Sequence, residues 1–169
     1  MSKKNITNKN NIFYTQIMNE REQLEPNNIE GDIDESLLKK ISKKLEGKCS
    51  KFGYVQPGSI KILERSIGRI DSSHFSGNII FDLKLEALVC SPHQGDKIKC
   101  KVLGSNKMGI MCEAKPLLIC LSKLHHQDRL EEFGAITKNS LIDVEVICSK
   151  FELYDTEINV IGKLPNLNK

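Results

Sequence analysis

The chain has no tryptophan, and six Phe and three Tyr are its whole aromatic set. A surface that holds bases by ring stacking therefore has little to draw on. Arginine is scarce too: 21 Lys stand beside 4 Arg, so bidentate contacts to phosphates or base edges are few. The net charge of +3 gives no strong electrostatic footprint for nucleic acid. No run of about 18 apolar residues occurs, which excludes a membrane-spanning helix and leaves no membrane partner expected. The start, MSKKNITNKNN, is charged without an apolar stretch, so it does not read as a secretory signal.

Six cysteines are present, Cys49, Cys90, Cys100, Cys112, Cys120 and Cys148, but no two share C-x-x-C spacing. A zinc site is thereby disfavoured, and the thiols read as buried and free in a reducing, intracellular setting. G-x-x-x-x-G-K-[ST], G-x-G-x-x-G and G-x-S-x-G are all missing. The histidines are His74, His93, His125 and His126. Adjacent residues on a strand point to opposite faces, so the last two are expected at a surface rim rather than on one metal. Glu131 and Glu132 sit in a polar surface segment without a paired acid. No catalytic constellation, metal or cofactor is expected. The chain reads as a binding or assembly module.

What is present divides into two halves. Residues 1–10 read as a disordered Lys- and Asn-rich tail. Residues 11–26 suggest an edge strand stopped by Pro26. DESLLKKISKKLEGK predicts a helix: Leu37, Leu38, Ile41 and Leu45 share one face, Asp32 or Asp34 caps it, and Gly47 ends it. Lys39, Lys40, Lys43 and Lys44 are expected on its solvated side. GNIIFDLKLEALVCSP alternates over residues 77–92, placing Ile79, Phe81, Leu83, Leu85, Ala87 and Val89 inward and Asp82, Lys84 and Glu86 outward. Residues 11–90 thus predict one helix packed on a small antiparallel sheet.

SPHQGD marks the boundary, and residues 91–169 are mostly strand. Ile98, Cys100 and Val102 face in while Lys97, Lys99 and Lys101 face out; Ile110 and Cys112 follow, then LLICLS. Ile142, Val144, Val146 and Cys148 are expected inside, as are Ile158 and Val160. Five short strands with a longer, polar, helical connection after the third match an OB barrel. The fold class is therefore α+β: a helix-on-sheet domain followed by a five-stranded OB-type β-barrel.

The order of IFYTQIMNEREQLEP, the helix, LEGKCSKFGYV, IIFDLKLEALVCSPHQGDKIKCKV and SNKMGIMCEAKPLLICLSKL resembles the stalk subunit of multisubunit DNA-directed RNA polymerases. This family includes the seventh subunit of eukaryotic RNA polymerase II and the archaeal E-prime subunit. The likeness spans about residues 11–164. It implies a non-catalytic protein whose tip domain docks on the largest polymerase subunits near the clamp. It also implies pairing with a smaller helical stalk subunit and contact with initiation factors and nascent RNA during transcription. Carried onto this chain, the docking loop is Lys51, Phe52, Gly53, Tyr54 and Val55. The nucleic-acid surface falls on Lys107, Met111, Lys123 and His125. The chain departs from the pattern where Met111 and Cys120 stand at positions that related barrels often fill with aromatics, which weakens RNA binding. The AT-rich residue usage and short later loops point to a large DNA virus, with work in the host cytoplasm and virion; a cellular relative would work in the nucleus. The rival class is a free-standing OB-fold RNA-binding protein acting in translation or RNA decay.

Overall fold

The computed structural model describes residues 12–28, 31–72 and 77–165. The tail expected at residues 1–10 and His74 lie outside the described residues. The chain divides into two compact units, one formed by Phe13–Cys90 and one that begins at Ser91.

The first unit is organised around a single long strand. β1 (Phe13–Leu24) is followed by helix α1 (Ile33–Leu45), β2 (Cys49–Ser50), β3 (Gly53–Val55), β4 (Lys61–Arg65), β5 (Arg69–Ile70) and β6 (Ile79–Cys90). β6 carries β1 along one side, antiparallel from Phe13↔Cys90 to Leu24↔Ile79. Its other side is shared by β3, β4 and β5 in succession. β1 is thus the edge strand its polar interruptions predict. The β6 alternation holds: Phe81, Leu83, Leu85, Ala87 and Val89 are buried against α1, whose Leu37, Ile41 and Leu45 complete the core with Leu38 at its margin. Each of the Val, Leu, Ile and Phe side chains among these contributes about 1.5–3 kcal/mol by leaving water.

The helix ends resolve the alternatives left open by the sequence. Asp32 is the cap, its carboxylate accepting the Asp34 amide at 2.9 Å. Asp34 instead holds Arg65 at 2.5 Å. Lys39, Lys40 and Lys43 are exposed as expected, while Lys44 is half-buried. Lys40 Nζ donates to the Gln23 carbonyl of β1 at 2.5 Å, and Lys44 pairs with the buried Glu22. The correction at Lys44 follows from side-chain length: a four-carbon stem lets the ammonium reach past the apolar stripe to the neighbouring strand.

The second unit is a closed five-stranded barrel of β7 (Lys97–Ser105), β8 (Gly109–Ala114), β9 (Leu117–Ser122), β10 (Leu141–Lys150) and β11 (Ile158–Lys163). The order β7-β8-β9-β11-β10 closes back on β7, with β9 and β11 parallel, as in an OB fold. Ile98, Cys100, Val102, Ile110, Cys112, Ile119, Val144, Val146, Ile158 and Val160 fill it. The outward lysines of β7 are countered across the sheet: Lys97 opposes Glu145, Lys99 opposes Asp143, and Lys101 opposes Glu113. Cys148 is exposed, against expectation. A β-bulge between Val146 and Cys148 adds a residue there and reverses the alternation.

Between β9 and β10 the chain forms a 3-10 segment (Lys123–Arg129) and a short helix α2 (Leu130–Gly134). His125 therefore lies on a helical turn and His126 at a kink between two such turns (φ −129°, ψ 29°), neither on a strand. His125 is exposed as expected, but His126 is buried rather than at the rim. Its Nδ1 lies 2.7 Å from the Ser122 carbonyl, and its Nε2 accepts the Leu164 amide at 2.9 Å. An amide can only donate, so Nε2 is unprotonated and Nδ1 carries the hydrogen given to Ser122. The ring packs on Phe133, centroids 4.9 Å apart. No helix among the described residues is long and apolar enough to cross a membrane.

Candidate functional site

The five residues expected at the docking loop form a tight β-hairpin. β2 and β3 pair through Cys49↔Tyr54 and Ser50↔Gly53, with Lys51 and Phe52 at the turn. Gly53 has φ +123°, a conformation that costs a side-chain-bearing residue strain. Buried Ser50 locks the turn: its Oγ donates to the Gly53 carbonyl at 3.0 Å and accepts the Phe52 amide at 3.2 Å. Val55 ties the hairpin to the helix end, donating to the Lys48 carbonyl at 2.9 Å and accepting the Gly47 amide at 3.0 Å.

The five are not equally available. Val55 is wholly buried in the core and offers no contact surface. Phe52 is half-buried, leaning on the core cluster, with the Lys51 ammonium 5.0 Å above its ring. Lys51 itself is exposed and stands 4.0 Å from Glu20. Tyr54 is half-buried on the opposite sheet face, level with Cys49 and Cys90. Burial pushes its phenol above the ordinary value, and the Cys49 and Cys90 sulfurs add to the effect.

A charged cluster in the same unit escaped sequence reasoning. Arg21 and Arg69 both grip Asp82, each at 2.7 Å, and Arg65 lies 5.5 Å over the Phe81 ring. Three of the chain's four arginines so gather on one sheet. They are far apart in sequence, and only strand register brings them together. The Arg21 hydrogen bond, helped by Arg69, holds the Asp82 carboxyl below its usual range.

On the barrel, Met111 of β8 and Cys120 of β9 are cross-strand partners. The β7–β8 loop is pinned beside them. Asn106 Oδ1 accepts the Met108 and Gly109 amides at 2.9 and 2.8 Å, and the Lys123 amide donates to the Met108 carbonyl at 3.0 Å. A Cβ on Gly109 would fall 2.3 Å from the Leu121 carbonyl oxygen, so only glycine lets the strands close here. Met108 is left 81% exposed.

Two hollows adjoin at Met108 and Ser122. One, of about 560 Å³, includes Leu103, Met111 and Cys120; the other, of about 420 Å³, includes Lys107, Lys123 and Leu124. Of the expected nucleic-acid residues, Lys107, Met111 and Lys123 are thus brought together, while His125 lies outside both walls. Met108 was missed; its sequence signal was the Asn106 turn that holds it out. Among the described residues, no group of three or more His, Cys, Asp or Glu side chains could hold a metal.

No protein-family model matches the chain. DNA-directed RNA polymerase II subunit 7 of Arabidopsis thaliana is 30% identical over 121 residues, covering 71% of this chain and 67% of the relative. The chain belongs to the RNA polymerase II subunit 7 family. Subunit 7 of Glycine max is 28% identical over the same length. A protein of Acanthamoeba polyphaga mimivirus named as a DNA-directed RNA polymerase subunit is 24% identical over 164 residues, covering 90% of this chain and 82% of the relative. This subunit-7 chain is thus a polymerase subunit in kind, and its partners are other polymerase subunits.

Proposed function

We propose that this subunit-7 chain is a non-catalytic stalk subunit that docks on the polymerase core near the clamp through the Lys51–Tyr54 hairpin. The observation that carries the reading is the hairpin itself. Its turn is locked by Ser50, and it offers an exposed cation at Lys51 and rigid ring area at Phe52 and Tyr54. Aromatic anchors of this kind dominate interface energetics, and a pre-ordered turn loses little entropy on binding. The partners are the largest polymerase subunits, a smaller helical stalk subunit and initiation factors. The barrel faces the nascent transcript, to which Met111 offers no stacking ring. Residue usage rich in Lys, Asn and Ile, with a mimivirus relative over most of the chain, supports service in a viral polymerase of the host cytoplasm and virion.

Co-purification of core polymerase with the tagged chain tests the docking role. Phe52→Ala with Tyr54→Ala is expected to cut recovery at least ~30-fold, the effect of losing an anchor of about 2 kcal/mol. Because Phe52 also touches the core, Lys51→Glu is the companion variant: its side chain is exposed, so the fold is retained and association falls. Undiminished recovery with both variants overturns the reading. Tight RNA binding by the lone chain at physiological salt would instead support a free-standing RNA-binding protein.

A further inference from the structure

The two hollows on the barrel have an unusual make-up for a surface that meets RNA. Leu103, Met111 and Cys120 line the first, Leu124 and Leu130 the second, and Met108 stands in both. Among the described residues, no wall residue is aromatic and none is acidic. Lys107 and Lys123 are the charged groups of the second hollow, and among the described residues neither has an ion-pair partner. Phosphate contact would occupy these lysines and leave the apolar floor in water. Several large apolar side chains side by side are costly to leave wet, and such patches mark interaction sites.

We propose that the adjoining hollows are a docking groove for an acidic, amphipathic segment of a partner protein. Its apolar side chains seat around Met108, and its carboxylates lie on Lys107 and Lys123. Three features favour this occupant. Among the described residues nothing compensates the two cations at the rim of an apolar floor, which matches a ligand carrying both apolar and acidic groups. Methionine is unbranched and polarizable and adapts to inserted aliphatic side chains, whereas a base needs a flat ring beneath it. The backbone around Met108 is held because Asn106 Oδ1 accepts the Met108 and Gly109 amides and the Met108 carbonyl accepts the Lys123 amide, so the groove is pre-formed. The groove lies wholly within the barrel unit, and the proposal stands whether or not the hairpin docks on a polymerase.

Selection of a random-peptide display library on the immobilised full chain tests it. Enriched peptides are expected to carry two or more Leu, Ile, Met or Phe at helical spacing, flanked by Asp or Glu. Synthesised and titrated against the chain, they should bind at least ~10-fold more weakly after Met108→Glu, and several-fold more weakly after Lys107→Glu or Lys123→Glu. These side chains are exposed, and circular dichroism verifies that the variants are folded. Failure to enrich any peptide, enrichment indifferent to charge, or affinity unchanged by Met108→Glu each overturns the proposal. So does an oligouridylate that binds the full chain more tightly than any selected peptide and is lost with Met108→Glu, which would assign the groove to RNA. Polymerase co-purification plays no part in this assay, so the two readings fail separately.

Discussion

Met111 of β8 stands directly across from Cys120 of β9, and both side chains are exposed on the barrel wall. This is the pair of positions at which a ring on each strand would make a stacking platform. Met111→Phe with Cys120→Tyr is therefore expected to strengthen binding of a single-stranded RNA by about 1–3 kcal/mol for each base stacked. Fluorescence anisotropy at fixed salt checks this. An unchanged affinity would show that bases do not reach this face.

His126 bridges two separate backbone groups, the Ser122 carbonyl and the Leu164 amide. His126→Ala strips both of their partner and removes the ring that packs on Phe133. A loss of about 1–3 kcal/mol for each group left dry is expected, read as a lower midpoint in urea. His126→Gln, which keeps a donor and an acceptor, should recover part of it.

Asp82 is held below the ordinary carboxylate range by Arg21 and then Arg69. A depressed folded value means that the group contributes stability above its unfolded value and loses that contribution as the pH falls through the folded one. The effect is confined to the acid limb and is small, because the carboxylate is solvated. In a carboxyl NMR titration Asp82 should ionise at lower pH than the chain's unpaired acids. Arg21→Ala with Arg69→Ala should return it upward.

Cys120 and Cys148 are exposed, whereas Cys100 and Cys112 are buried inside the barrel. The contact with Cys112, together with burial, pushes the Cys100 thiol upward, away from the reactive thiolate. Brief iodoacetamide treatment of the native chain should label Cys120 and Cys148 and spare Cys100 and Cys112 until the barrel is unfolded. Peptide mass mapping distinguishes the two patterns.

The long elements were legible because their periodicity is long. β6 alternates from Phe81 to Val89, and the α1 stripe from Leu37 to Leu45 repeats at helical spacing. The barrel was readable from strand count and from the one long connection. What stayed hidden depends on partners remote in sequence. Nothing near Cys148 announces the bulge that turns it outward, since that shift is set by β11. His126 looked like an ordinary polar residue because the amide it receives belongs to Leu164. Lys44 read as solvated until β1 supplied Glu22. At the hairpin, the sequence identified the turn through Gly53, but the burial of Val55 follows from its pairing with Val89, which only register reveals.

The barrel closes by setting β11 parallel to β9. The next strand in the chain, β10, pairs with β11 and β7 and not with β9, so the polypeptide that joins β9 to β10 must travel around an end of the cylinder. That detour is where Leu124, His126 and Leu130 reside. Shortening it to trim the groove would therefore tax closure of the cylinder itself: in this architecture, what the wall can grasp and whether the wall stands are decided by one stretch of polypeptide.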